Sequence, residues 1–394
     1  MNRPRTEPAA APAGDRPWPV ARRTARLAVA APLSAEAVPL AAALGRTLAE
    51  PLAAVTDLPG FDTSAMDGWA VAGPGPWRPE GRLLAGGTPA PLADGAAVEI
   101  ATGAQLPPGA TGVLRREHGR VEHGLLHGAV GPGQDVRPRG QECRRGEVLL
   151  PAGTRVTAAV LGLAAAAGHD LLQVRRSPTV ELLLLGDELL GSGVPGPGRV
   201  RDALGPLLPP WLAAAGAEVC GVRRVGDDRG LLLEALRHSP ADVVLTTGGT
   251  ALGPADFLHG ALADAGARLL VDGVAVRPGH PMLLASLPGG RHLVGLPGNP
   301  LAAAAGALTL ALPLLSALAG RNLPSARTEP AAVDLPGHPR DTRLVPVVRT
   351  GDGVVPLRFD GPAMLRGLAL AEGVAVVPPG GLAAGSRAEV LELP

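Results

Sequence analysis

Between residues 180 and 318, short apolar runs alternate with amphipathic stretches in the manner of a doubly wound sheet. Residues 180–185 predict a strand, 203–215 a helix and 218–222 a second strand. A helix over 229–238, a buried strand over 242–245 and a helix over 257–265 come next, then an extended 268–276 and a short strand at 292–294. The near-continuous apolar character of these strands fits a parallel sheet covered on both faces. Ahead of this domain, residues 57–150 are rich in Gly and Pro, with β-like pieces at 97–101, 111–115 and 119–126. They predict a small β domain inserted between helical stretches at 34–50 and 157–167. Beyond it, short strands at 344–349, 374–377 and 388–393 predict a β-barrel-like C-terminal domain. The expected division is a disordered tail over 1–24, a helical linker domain from 25–56 and 146–177, an inserted β domain over 57–145, an α/β domain over 178–326 and a β domain over 327–394.

A chain of 394 residues, 46% hydrophobic, has enough apolar material for several cores. Lys+Arg and Asp+Glu each number 36, so no net field draws the chain to nucleic acid or to an acidic membrane. Every basic side chain other than histidine is arginine, and lysine is absent. Cys143 and Cys220 lie far apart with no CxxC companion, which argues against a zinc site or a disulfide framework and fits a reducing cytoplasm. The Pro-, Arg- and Ala-rich beginning lacks the apolar core of a signal peptide. Residues 301–320 are uncharged over nearly a bilayer's length, but they contain Pro313, follow a tight PGNP turn and have no second spanning candidate beside them. They predict a buried helix rather than a membrane span.

Candidate chemistry gathers at the predicted carboxyl edge of the sheet. Two glycine-rich turns, TTGGTALG from Thr246 and GLPGNP from Gly295, each follow an apolar run where open α/β sheets place their ligands. Glycine permits close backbone approach, and a helix starting after such a turn adds the positive end of its dipole, so a phosphate-bearing ligand is expected. Either turn alone reads equally as an ordinary strand-to-helix connection. Asp187 and Glu188, after the first strand, supply carboxylates of the kind that hold Mg²⁺ beside phosphate oxygens, and Asp256 offers another oxygen. Asp and Glu are also common at helix starts, so each has a structural reading as well. GxxxxGK[ST], GxSxG and a GxGxxG after the first α/β strand are all absent, which excludes a P-loop nucleotidase and a hydrolase elbow.

The stretch from Leu58 to Val71, LPGFDTSAMDGWAV, closely resembles the PxFDxSAMDGYAV signature of the molybdopterin molybdenumtransferases, the MoeA and gephyrin E-domain family. ATGAQLP from Ala101, GDEL from Gly186, TTGGTALGPAD, VRPGHP from Val276 and GLPGNP follow in the order of that family. The resemblance implies a MogA-like α/β domain at the centre of a multidomain α/β plus β protein. It implies molybdate insertion into adenylyl-molybdopterin with release of AMP, assisted by Mg²⁺, in a cytoplasmic homodimer with a MogA-like protein as a further partner. On the matching positions it makes Asp67, Glu188, Asp256 and Glu142 catalytic, with Glu188 and Asp256 as the metal ligands. Asp187, Asp202, Thr247, Gly248, Gly249, Arg277, His280, Pro297, Gly298 and Asn299 would bind the pterin, its phosphate or the oxyanion.

Several polar motif positions depart from the family pattern. Arg277 and His280 replace two lysines, and Leu204, Ala251, Pro254 and Ala302 stand where polar residues are usual. The tail's usual Gly-Ser pair corresponds to Gly361-Pro362. Arginine still binds oxyanions through its planar fork, whereas the charge of histidine depends on its surroundings. Two further readings stay open at this point: a molybdopterin adenylyltransferase, and a non-catalytic molybdopterin-binding scaffold.

Overall fold

The computed structural model describes residues 15–250, 257–321 and 327–394. The chain divides into two compact units, Ala37–Val174 on one side and Met1–Glu36 with Arg175–Pro394 on the other.

In the larger unit a six-stranded sheet runs Glu218–Val225, Thr179–Leu185, Val243–Thr247, His292–Leu296, Leu283–Ser286, Arg268–Asp272. The first four strands are parallel and the last two antiparallel. The central strands are buried along their length because both faces are covered, and they are correspondingly apolar. Leu184 pairs with Thr247, and Thr247 with Leu296, so three strands end side by side and release their loops at one edge. Helix Arg229–His238 starts where Asp228 accepts the Leu231 N–H at 2.8 Å, a side-chain cap that satisfies one open donor.

A second, mixed sheet joins the α/β region to the C-terminal region. Strand Val274–Arg277 pairs in parallel with Thr342–Thr350, which continues to Gly373–Val377, Arg387–Leu391 and Arg327–Pro330. The extended stretch at 268–276 is therefore two strands serving two sheets, Arg268–Asp272 in one and Val274–Arg277 in the other. Gly273 at φ +82° makes the turn between them.

Pro300–Leu318 is long and apolar enough to cross a membrane, yet 89% of its most apolar window is buried inside the protein. It serves as a core helix apolar on all sides. Its Ala307–Ala311 turn is π-helical. There Thr309 Oγ1 donates to the Ala305 carbonyl at 2.7 Å and accepts from Trp18 Nε1 at 3.0 Å.

Trp18 belongs to the segment expected to be a disordered tail, and the structure differs: Trp18–Leu27 is a helix. Trp18, Ala21 and Ala25 are buried on one face, a spacing of three and four that outweighs the surrounding arginines and prolines. Trp18→Ala is expected to cost about 3 kcal/mol, since a buried aromatic leaves a cavity that closes only partly. Urea unfolding followed by circular dichroism checks this, and a loss below about 1 kcal/mol would contradict it.

In the smaller unit, Arg78–Leu83, Ala96–Ile100, Gly68–Val71 and Gly112–Arg115 form a four-stranded sheet. A hairpin of Arg120–Glu122 and Leu125–His127 joins its edge through the reciprocal backbone hydrogen bonds of Leu126 and Trp77. Helix Ala158–Ala166 falls where the apolar pattern predicts one. The helix expected over 34–50 is instead strand Ala35–Pro39, a single helical turn Leu40–Ala43 and irregular chain. Pro39 cannot sit inside a helix, and Gly45 at φ +78° stops the turn that does form.

Candidate functional site

The aligned strand ends bring the two glycine turns into contact. Gly248 takes φ +89° and Gly249 +66°, and the Gly248 N–H donates to the Leu296 carbonyl at 2.8 Å. A Cβ on Gly298 would lie 3.6 Å from the Gly248 Cα, so the backbones run against each other. Thr247 is buried at the end of its strand. Asp187 and Glu188, from the neighbouring strand end, are exposed. Glu188 folds back over Gly186, where an added Cβ would meet Oε2 at 2.5 Å. Asp256, Ala251 and Pro254 lie outside the described residues.

Asp202 has a different position. Its Oδ1 accepts the backbone N–H groups of Leu204 and Gly205 at 3.0 and 2.9 Å, and Arg224 lies 3.8 Å from Oδ2. That carboxylate is occupied in starting the helix Leu204–Ala214. The amide groups following GLPGNP are likewise occupied: Leu301 and Ala302 donate to the Pro362 carbonyl at 2.9 and 3.2 Å. The helix start is thus covered by the C-terminal region and is not open to an anion.

Next to it lies a cavity of about 380 Å³ lined by Arg277, His280, Asn299, Arg343, Asp360 and Pro362, among others. Each basic side chain on this wall meets a carboxylate. Arg277 Nε donates to Asp341 at 2.8 Å, Arg343 Nη2 to Asp360 at 2.5 Å, and His280 Nε2 pairs with Asp15 at 2.8 Å. Guanidinium groups carry five donors each, so an ion pair through Nε leaves others for a planar oxyanion contact. Arg277, His280, Pro297 and Asn299 are thus brought together as the motifs imply. Arg343 and Asp360 escaped the sequence reading because they belong to a strand and a loop with no local motif.

In the smaller unit, Asp67 precedes strand Gly68–Val71, whose Gly68 lies opposite Ile100. That register sets Asp67 beside Thr102, whose N–H and Oγ1 donate to Oδ1 at 2.7 and 2.9 Å. These two hydrogen bonds stabilise the ionised form and hold the Asp67 carboxyl below the usual range. A depressed acid of this kind contributes stability above its unfolded pKa, and that contribution is lost as pH falls through the folded value. Glu142 is exposed, with its N–H on the Leu58 carbonyl at 2.9 Å. A second cavity, about 490 Å³, is lined by Phe61, Asp62, Gln105 and Arg139, with Asp62 Oδ1 accepting the Arg139 N–H at 2.6 Å. Asp62 stands five positions before Asp67 in the same motif and was passed over in favour of it.

A divalent cation implied by these carboxylates fits the donor chemistry of the sheet edge, which offers hard carboxylate oxygens at Asp187 and Glu188. No group of three or more His, Cys, Asp or Glu side chains among the described residues is spaced to hold a metal ion. Mg²⁺ keeps several waters and shares phosphate oxygens, so it needs only one or two protein carboxylates.

A central α/β domain with touching glycine turns, sheet-linked to a C-terminal β region and accompanied by a β-bearing unit, defines a MoeA-type protein. Residues 18–168 match the pattern described as "MoeA N-terminal region (domain I and II)". Residues 181–317 match "Probable molybdopterin binding domain" and residues 328–393 "MoeA C-terminal region (domain IV)". The molybdopterin molybdenumtransferase of Synechococcus elongatus is 36% identical over 306 residues, which cover 73% of this chain and 76% of that one. That of Nostoc sp. is 31% identical over 390 residues, covering 91% and 89%. The crystal structure of the molybdopterin biosynthesis MoeA protein from Pyrococcus horikosii superposes with a TM-score of 0.77 at 26% identity, over 97% of this chain and 100% of that one. The chain belongs to the molybdopterin molybdenumtransferase family.

Proposed function

We propose that the chain works in molybdenum cofactor biosynthesis by inserting molybdate into adenylyl-molybdopterin, with release of AMP. The observation that carries this reading is the cavity lined by Arg277, His280 and Arg343 together with Pro297 and Asn299 of the GLPGNP turn. The turns at Gly249, Gly298 and Asn299 would hold the pterin and its phosphate, the amides of Gly248, Leu301 and Ala302 being taken by carbonyls, and the cavity would hold the tetrahedral oxyanion. Glu188, with Asp187 beside it and Asp256 as the further oxygen, would hold Mg²⁺. That ion supplies neutralisation of phosphate charge when bound. Asp67, kept ionised by Thr102, would orient and accept protons from a homodimer partner's substrate, and Glu142 would assist it. Two free cysteines and the lack of any charge bias suit a cytoplasmic enzyme that meets a MogA-like donor of its substrate.

Purified protein given adenylyl-molybdopterin, Mg²⁺ and molybdate is expected to release AMP and to yield cofactor that activates an apo-molybdoenzyme. Chromatography of AMP with and without molybdate is the test. Pterin binding with no AMP released under any molybdate concentration would favour the scaffold reading instead.

A further inference from the structure

We infer that Asp15 is a positioning residue for oxyanion binding, acting through His280. The inference rests on the proposed molybdate cavity and assigns to it a residue from the opposite end of the sequence.

The contact is built rather than incidental. Asp15 is the residue before a short strand, Arg16–Pro17, which pairs in parallel with Val274 and Ala275 at the edge of the second sheet. The Arg16 N–H donates to the Gly273 carbonyl at 3.1 Å, anchoring the strand two residues before Ala275. An added Cβ on Gly273 would lie 2.6 Å from Asp15 Oδ1, so the carboxylate is seated against the one residue type that leaves room for it. From that seat Oδ2 reaches His280 Nε2 at 2.8 Å. The His280 carbonyl is itself tied to the Val274 N–H at 3.0 Å, so backbone and ring of His280 are both held to the same strand pair.

Chemically the pair resolves an ambiguity that a histidine at this position creates. A neutral imidazole has one donor and one acceptor, and either nitrogen can carry the proton. A carboxylate on Nε2 makes Nε2 a proton-bearing nitrogen and fixes the ring plane, so that any contact of the ring with a ligand falls to Nδ1. Asp15 does not line the cavity, whereas His280 does, so the carboxylate acts on the ring and not on the ligand. With Nε2 taken by Asp15, only Nδ1 is left for the cavity that Arg277 and Arg343 also line, and it donates to an oxyanion when the ring is doubly protonated.

Two effects of Asp15 have opposite signs. As a nearby negative charge it opposes an oxyanion, so removing it by charge alone would tighten binding. As an anchor of the ring it favours binding, and removal would weaken it. Both side chains are part-exposed, 36% for His280 and 46% for Asp15, so solvent screens the charge effect and the orienting effect decides.

The test is AMP release from adenylyl-molybdopterin by the full chain with Mg²⁺, titrated with molybdate. Asp15→Ala is expected to raise the half-saturating molybdate concentration about fivefold, the scale of one ordinary net hydrogen bond, with kcat changed less than about twofold. Asp15→Glu is expected to return the molybdate requirement to near the wild-type value. In a His280→Ala background, Asp15→Ala is expected to have no further effect. Unchanged or tighter molybdate use by Asp15→Ala overturns the inference, as does an equal loss in both backgrounds, which would mark a purely structural arm. Wild-type AMP release that ignores molybdate overturns the cavity reading, and the role of Asp15 falls with it.

Discussion

Glu188→Ala is expected to slow AMP release from adenylyl-molybdopterin by about 100-fold or more, the scale on which removing a single charge-stabilising group acts in a preorganised site. Glu188 is exposed at the end of the strand Thr179–Leu185, in the loop that also holds Gly186. Its side chain contributes to no core, so the variant should unfold at close to the wild-type temperature. What it removes is one of the carboxylates proposed to hold Mg²⁺ against phosphate oxygens. The loss should be deepest at low Mg²⁺ and should shrink as Mg²⁺ is raised, since a weakened site is refilled by mass action. A fall of less than about fivefold at low Mg²⁺ would remove Glu188 from the machinery. Rates measured across a Mg²⁺ series decide the matter.

The second large effect is expected at Arg277. Arg277→Ala should raise the molybdate concentration for half-maximal AMP release by about 10- to 30-fold, because a charge-assisted donor pair is lost from the oxyanion wall. A further effect has the same sign. Arg277 Nε donates to Asp341, whose side chain is only 12% exposed. Without the guanidinium this carboxylate loses its cationic partner, and its charge then bears on the cavity with less compensation. Arg277→Lys should recover much of the loss, since an ammonium restores the charge though not the planar fork. A molybdate titration of all three proteins measures this, and an Arg277→Ala protein with wild-type molybdate use would contradict it.

Much of the α/β region was legible because its strands are buried on both faces and therefore read as uninterrupted apolar runs. VELLLL and DVVLTT need no partner to be recognised as strands. The glycine turns were equally legible, as turns, from Gly248, Gly249 and Gly298. Their convergence depends on strand register, which places Leu184, Thr247 and Leu296 level and which no local pattern encodes. The far wall of the cavity beside Arg277 was hidden for the same reason. Arg343 lies in an ordinary β pattern, and its place opposite Arg277 follows from the parallel pairing of Arg277 with Arg343. The errors have local causes. Residues 34–50 contain enough alanine and leucine to suggest a helix, but Pro39 and Gly45 break it. The beginning was judged by its Pro and Arg content, which masked the buried spacing of Trp18, Ala21 and Ala25. Asp15 carried no signal at all, since its partner lies 265 positions away.

The Pro362 carbonyl that receives the Leu301 and Ala302 amides has a consequence for the order of events during synthesis. The cavity's near wall, from Arg277 to Ala302, leaves the ribosome well before Arg343, Asp360 and Pro362. Domains fold as they emerge, from the amino end onward. A nascent chain can therefore complete its α/β sheet and glycine turns while the cavity still lacks a side. The cavity closes only when the final portion of the polypeptide folds back onto the helix start, so a prematurely terminated product would keep the glycine turns and lack the cavity beside them.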